Sequence, residues 1–221
     1  NAVGGGIDIR DIGDGVTVGM VVDTGIVGAT TNAGNIEITA QSPLNIDDVV
    51  SNTSGGDILL AAEGSAATDD LTVDADVTAT GGTGSINLYA GDSVTLGATQ
   101  SVTVSTVSTG SISVAAGSDY NDGAIANGNA DGDVNLGDFG GNTLTAVAGA
   151  IDINATDSIL MGAAATITST SGAVTLTADS DTGGLATGND GEVITMGDGA
   201  LINGGAGDIS LVATGDITLS G

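Results

Sequence analysis

The 221-residue chain carries 28 acidic residues against one basic residue, Arg10, for a formal net charge of −27, and it has no His, Cys or Trp. Phosphate neutralisation, P-loop and Schiff-base chemistry, His-based triads and thiolate or imidazole zinc sites all lack their side chains, which leaves hard oxygen ligands of the kind that hold calcium. With 40% hydrophobic residues, 39 Gly, a single Pro and 1% aromatics, the chain is expected to fold around a thin aliphatic core, and collagen is excluded because the glycines keep no every-third-residue period.

One short phrase recurs along the chain: Gly, a small or polar residue, then an apolar–polar–apolar triplet. In chain order the triplets begin at Ile7, Ile36, Ile58, Ile86, Ile112, Ile151, Val174, Ile209 and Ile217, with successive starts 29, 22, 28, 26, 39, 23, 35 and 8 apart. A minimum near 22 with upward excursions is the pattern of a fixed rung with variable loops. Within each interval further alternating runs follow, such as Ser93-Val94-Thr95-Leu96 and Ser101-Val102-Thr103-Val104 after Ile86. They read as two or three strands per rung, separated by Gly, Asn, Asp and Ala.

Strands of three to five residues are unstable alone. Stacked in parallel, they share a core, so the fold class expected over 1–221 is all-β: a single parallel β-helix solenoid of eight or nine rungs with variable Gly/Asn/Asp loops. A β-sandwich is the alternative, disfavoured by the scarcity of Asn-Gly-type hairpin signals between the alternating runs. In a parallel stack the middle residues of the triplets form an outward column, and most Asp is kept off it. Asp8 over Glu37 is the exception, a like-charge stack that Arg10 is placed to offset.

The phrases Gly215-Asp216-Ile217-Thr218-Leu219-Ser220-Gly221, Gly84-Ser85-Ile86-Asn87-Leu88-Tyr89-Ala90 and Gly172-Ala173-Val174-Thr175-Leu176-Thr177-Ala178 resemble the repeats of filamentous-haemagglutinin-type bacterial adhesins. The resemblance implies a right-handed β-helix, extracellular on the cell surface, working as an adhesin, stalk or filament. The amino-terminal secretion module of such exoproteins is not recognisable, and a segment of a longer protein or a polymerising subunit is the expectation.

The long intervals of 39 and 35 mark two inserts that resemble each other: Asp131-Gly132-Asp133-Val134 with Gly137-Asp138, and Asp190-Gly191-Glu192-Val193 with Gly197-Asp198. A duplication of about two rungs would explain the pair. In the first insert Asn127, Asn129, Asp131, Asp133, Asn135 and Asp138 fall at the oxygen-donor offsets of a twelve-residue calcium loop with Gly132 at its turn, so Ca2+ is the expected cofactor there. The loop departs from the pattern at both ends, with Asn first and Asp last. An Asn/Asp/Gly loop whose side chains only cap turns is the alternative. The clusters Asp47-Asp48, Asp69-Asp70 with Asp74 and Asp76, and Asp179 with Asp181 read as solvated loop charge.

The function expected is a non-enzymatic structural or adhesive protein whose partners are further copies of itself, stacked end to end or laterally, and cell-surface or matrix components. Nucleic acid is not an expected partner, and with no run of about 18 apolar residues neither is membrane insertion. Two other functions are weighed. One is a polysaccharide-active β-helix enzyme using paired carboxylates such as Asp69 and Asp70. The other is an ice- or mineral-binding face built on Thr ladders such as Thr166, Thr168 and Thr170.

Overall fold

The computed structural model describes residues 2, 5–12, 16–19, 28–41, 43–121, 124–129, 131–137, 141–178 and 192–220. Among them there is no helix, and three parallel sheets carry the fold. The first runs through eight strands from Ile7–Asp11 to Ile209–Val212, the second through eight from Val16–Val18 to Ile217–Leu219, and the third through seven from Ala29–Thr31 to Leu201–Asn203. The chain visits first, second and third sheet in turn and then repeats, which is a parallel β-helix of eight rungs with three strands to a full rung. At about 4.8 Å per rung, the seven spacings span roughly 34 Å.

Eight of the nine triplets form the first sheet in register, as in Ile36↔Ile58, Ile86↔Ile112 and Val174↔Ile209. The ninth does not. Ile217-Thr218-Leu219 pairs with Ile194-Thr195-Met196 in the second sheet, so the nine triplets make eight rungs. Its spacing of 8 is the step from first to second sheet inside one rung, the same as Ile36 to Leu44 and Ile151 to Ile159.

Alternation supplies the core. Ile36, Ile38, Leu44, Ile46, Ile58, Leu60, Leu71, Ile86, Leu88, Leu96, Ile112 and Leu136 are fully buried, stacked rung on rung. β-Branched and leucine side chains on in-register parallel strands bury against like residues above and below, and no large ring is needed to fill the thin interior.

One corner of the helix is set by glycine. The residue two before each first-sheet strand is Gly5, Gly34, Gly56, Gly84, Gly110, Gly149, Gly172 or Gly207, and from Gly56 onward each packs on the carbonyl of the glycine one rung away. A Cβ on Gly84 would lie 2.3 Å from the Gly56 oxygen, and one on Gly149 2.0 Å from the Gly110 oxygen. Buried polar residues ending the third-sheet strands bind these same carbonyls. Asn52 Nδ2 donates to Gly34 O at 2.7 Å, Thr106 Oγ1 to Gly110 O at 2.6 Å and Ser169 Oγ to Gly149 O at 2.9 Å. Among the described residues no buried side-chain polar atom lacks a partner, which is the condition for polar groups inside so thin a core.

The 39-residue interval contains an antiparallel hairpin, Ser118–Asn121 with Ala124–Asn127. Its first strand lies against the outer face of the strands Ile58–Ala62 and Ile86–Ala90. There Tyr120 stacks on Tyr89, centroids 5.9 Å apart and planes 15° from parallel, and Asp119 Oδ1 accepts the Gly64 N–H at 2.8 Å. Of the second insert, residues 179–191, with Asp190 and Gly191 among them, lie outside the described residues. The two inserts lead into strands two rungs apart, since Val134 pairs with Ile159 and Ile159 with Ile194. That alignment places Gly137 level with Gly197, and it shifts the match of Asp131–Val134 to the second insert by one residue.

The Asp8↔Glu37 stack is present. Arg10 reaches past it to Glu63, two rungs on, at 3.6 Å.

Candidate functional site

The acidic residues concentrate at corners, where they accept backbone N–H groups. The first residue of each second-sheet strand donates to a carbonyl of the next rung, as Leu71 N does to Ser93 O and Val94 N to Asp133 O. The residue just before the strand has an N–H with no strand carbonyl opposite, and a side-chain oxygen one rung away meets it. Asp70 Oδ1 accepts Ser93 N at 3.1 Å, Ser93 Oγ accepts Asp133 N at 3.2 Å, Asp133 Oδ1 accepts Ser158 N at 3.0 Å and Ser158 Oγ accepts Val193 N at 3.4 Å. The corner before the first sheet repeats the device with Asn35, Asp57 and Ser85, which receive Asp57 N, Ser85 N and Ser111 N. Carboxylates are acceptor-only groups and suit a column of inward-pointing donors.

Of the clusters read as solvated charge, the one from Asp69 to Asp76 is structural, Asp47 is exposed while Asp48 accepts the adjacent Val49 N–H, and Asp179 with Asp181 lies outside the described residues. Asp69 and Asp74 are buried. Asp69 Oδ2 accepts Ala66 N at 2.7 Å, Asp74 binds both the N–H and the hydroxyl of Thr99, and Asp76 accepts Thr103 N at 2.8 Å. Asp69 and Asp70, the carboxylate pair weighed for polysaccharide chemistry, both serve as acceptors for the fold. The reason is local: a short loop that turns between stacked strands leaves N–H groups that only a neighbouring oxygen can satisfy.

Of the six residues expected to hold calcium, Asp138 lies outside the described residues, and Asn127 is placed only as the last residue of the hairpin. Asn129 donates from Nδ2 to Asp92 Oδ1 at 2.7 Å and accepts Asp131 N on its oxygen at 3.3 Å. Asp133 precedes the strand Val134–Leu136 and holds Ser158 N. Asn135 is inside that strand, in the second sheet's outward column between Thr95 and Leu160. The twelve-residue stretch is thus divided between a hairpin, a turn and a strand, so the structure brings Asn129 and Asp131 together and sets Asn135 apart. Among the described residues no three Asp or Glu gather in a way that could hold a metal ion.

Two carboxyls at this corner are raised above the ordinary value of 3.8. Burial lifts Asp92, with further contributions from the negative charges of Asp70 and Asp133 and a partial offset from the Asn129 amide. Burial also lifts Asp133, assisted by Asp157 and Asp131 and opposed by the Ser158 N–H. At the far end of the same corner, the Thr214 hydroxyl holds Glu192 below its usual range. Asp92 and Asp157 carry the corner as much as Asp133 does. The signal for them in the sequence is an Asp one or two residues before six of the eight second-sheet strands.

The outward faces of the second and third sheets are free of charge among the described residues. The second sheet's outward column reads Thr17, Asn45, Thr72, Thr95, Asn135, Leu160, Thr195 and Thr218. On the third sheet Thr103-Val104-Ser105, Thr143-Leu144-Thr145 and Thr166-Ile167-Thr168 stack in register, with paired hydroxyl residues facing out. Thr166 and Thr168 take their expected places there, whereas Thr170 falls in the turn beyond the strand. No protein-family model, curated protein or solved structure matches the chain.

Proposed function

We propose that this chain is a non-enzymatic, extracellular structural or adhesive protein: a rigid β-helical stalk or cell-surface filament segment of the filamentous-haemagglutinin type. The observation that supports it is the unbroken in-register stacking of all three sheets over a fully buried aliphatic column, an architecture that gives stiffness and length in place of a deep cleft. The eighth rung leaves Ile209, Val212, Ile217 and Leu219 exposed along an open strand edge. A further rung, from a longer chain or from a second copy, is the natural cover for such an edge. Light scattering and electron microscopy of the native protein test this. Rods longer than one chain that shorten on Ile217→Lys support rung-on-rung association, and monomers at every concentration refute the filament form.

Calcium enters this proposal through the negative field of the corners, which draws divalent counter-ions. Rods that swell or shorten on chelation support that role, and indifference to chelation removes it. A second reading, an ice- or mineral-binding face, is favoured by one observation: the three stacked hydroxyl doublets at 103–105, 143–145 and 166–168 form a flat two-dimensional array. Thermal hysteresis that disappears in Thr145→Lys supports it, and its absence in the native protein excludes ice.

A further inference from the structure

We infer that the hollow between the hairpin and the corner that follows the first-sheet strands Ile36–Ala40 and Ile58–Ala62 is a binding site for one neutral sugar residue. Gln41, Glu63, Gly64 and Asp119 line it, and its volume is about 190 Å³. Drug-sized pockets run roughly 300–1,000 Å³, so this one suits a single ring with its hydroxyls. The inference stands on the hollow itself and holds whether the rod is a stalk or a filament.

The chain's scarce residue types converge here. Its only cation, Arg10, pairs with Glu63, one of three Glu. Glu63 is 95% buried at the side chain, with the Arg10 guanidinium 3.6 Å away. Both tyrosines and the hairpin then bring Asp119 to the opposite wall: the Tyr89–Tyr120 stack and the Asp119–Gly64 hydrogen bond fix the strand before any ligand arrives. A preformed wall lowers the ordering cost of binding.

The lining selects the ligand class. Two carboxylates offer acceptors to vicinal hydroxyls, and the Gln41 amide supplies both a donor and an acceptor. The net negative charge of the lining, inside a chain of net charge −27, repels uronates, sialic acids and phosphate. Three of the four described lining residues, Gln41, Glu63 and Asp119, are polar, and an aromatic or aliphatic ligand would strand their hydrogen-bonding groups.

The test is an amide-resolved NMR titration of the whole protein with the methyl glycosides of glucose, galactose and mannose, with methyl glucuronide and calcium chloride as comparators. At least one neutral glycoside is expected to shift the Gly64 N–H and the Gln41 side-chain amide with a millimolar Kd. Gln41→Ala, at an exposed position that leaves the fold intact, is expected to weaken binding on the order of tenfold, the loss of one good hydrogen bond. Thr72→Ala, on the second sheet, is expected to leave it unchanged. The proposal is overturned if no neutral glycoside shifts these amides at ~50 mM, several times the expected Kd. It is equally overturned if methyl glucuronide binds as tightly, if calcium alone produces the same shifts, or if Gln41→Ala binds like the native protein.

Discussion

Gly149→Ala isolates the close approach at the glycine corner. The added Cβ would sit 2.0 Å from Gly110 O, 2.4 Å from Gly110 C and 2.8 Å from Ser111 N, all backbone atoms that cannot rotate away. Relief requires the two rungs to part by more than 1 Å at that corner. Two hydrogen bonds resist: Ile112 N to Ala150 O at 3.0 Å and Ala148 N to Ser108 O at 2.8 Å. Overpacking costs about 1–3 kcal/mol, and two weakened bonds add about 1 kcal/mol each, so the expected loss is about 3–5 kcal/mol. For a chain of this size that corresponds to roughly 6–20 °C in Tm. Gly5→Ala is the matched control, because Gly5 occupies the same column in the first rung and a Cβ there meets nothing within 4 Å. With no left-handed φ to forbid it, that change is expected to be neutral or to stabilise by about 0.4–1 kcal/mol through the unfolded chain. Thermal and urea melts of both variants decide the matter. Equal midpoints for Gly149→Ala and the native protein, or an equal loss in Gly5→Ala, would refute the close-approach account.

The acidic corner predicts a pH response of unusual sign. Asp92 and Asp133 titrate above the ordinary 3.8 when folded, so their contribution to stability is fully present below 3.8 and is lost as the pH rises through the raised values. Asp133→Asn keeps an oxygen for Ser158 N and removes the charge. At this half-buried, water-screened position it should stabilise the protein by about 0.2–1 kcal/mol at pH 7 and converge with the native chain in acid, so lower stability at pH 7 in urea melts would count against the reasoning. Arg10→Met leaves the Glu63 carboxylate buried beside no guanidinium and is expected to cost about 2–4 kcal/mol, discounted for the partial exposure of Arg10. Glu63→Gln added to Arg10→Met should recover most of that loss, and a double-mutant cycle without coupling would remove the ion pair from the account. Tyr89→Ala should release the hairpin, raising hydrogen exchange at Gly64 N–H while the rod's melting stays within about 1.5 kcal/mol of native.

The rungs were legible in the sequence because stacking repeats one simple demand. Each first-sheet strand needs a glycine two residues ahead and alternating aliphatics after it, and both survive as a readable phrase. The ninth triplet misled because second-sheet strands such as Val94-Thr95-Leu96 satisfy the same alternation; only the spacing of 8 distinguishes them. The hairpin was hidden in a long interval, although Asp122-Gly123 between two short runs is the two-residue turn signal that marks it. The roles of Asp57, Asp70, Asp76 and Asp133 were not legible. Their partners are backbone N–H groups 23 to 28 residues away, and such a distance acquires meaning only once the rung length and register are known. Arg10 likewise sits beside Asp8 in sequence, yet the long side chain spans a rung to reach the more deeply buried Glu63.

The acceptor role also explains how a chain of net charge −27 tolerates carboxylates stacked along one edge. From the fourth to the sixth rung the second-sheet corner places Asp92 two residues before its strand, Asp133 one before and Asp157 two before, so the charge steps from one column to the other. In the column that holds Asp133, Ser93 and Ser158 occupy the neighbouring rungs and pass the N–H ladder on without charge. Two carboxylates one rung apart, at about 4.8 Å, would repel by about 0.9 kcal/mol in water. Two rungs apart the repulsion is about half that before screening, and the separation then exceeds the Debye length of ~8 Å at physiological salt. Alternating Asp with Ser therefore keeps the acceptor ladder continuous while holding its repulsion near one hydrogen bond or less per rung. The faces of the second and third sheets between the corners are left mainly to Thr, Ser and Asn, whose short uncharged side chains can stack at rung spacing without limit, and this division of labour lets the rod lengthen by adding rungs.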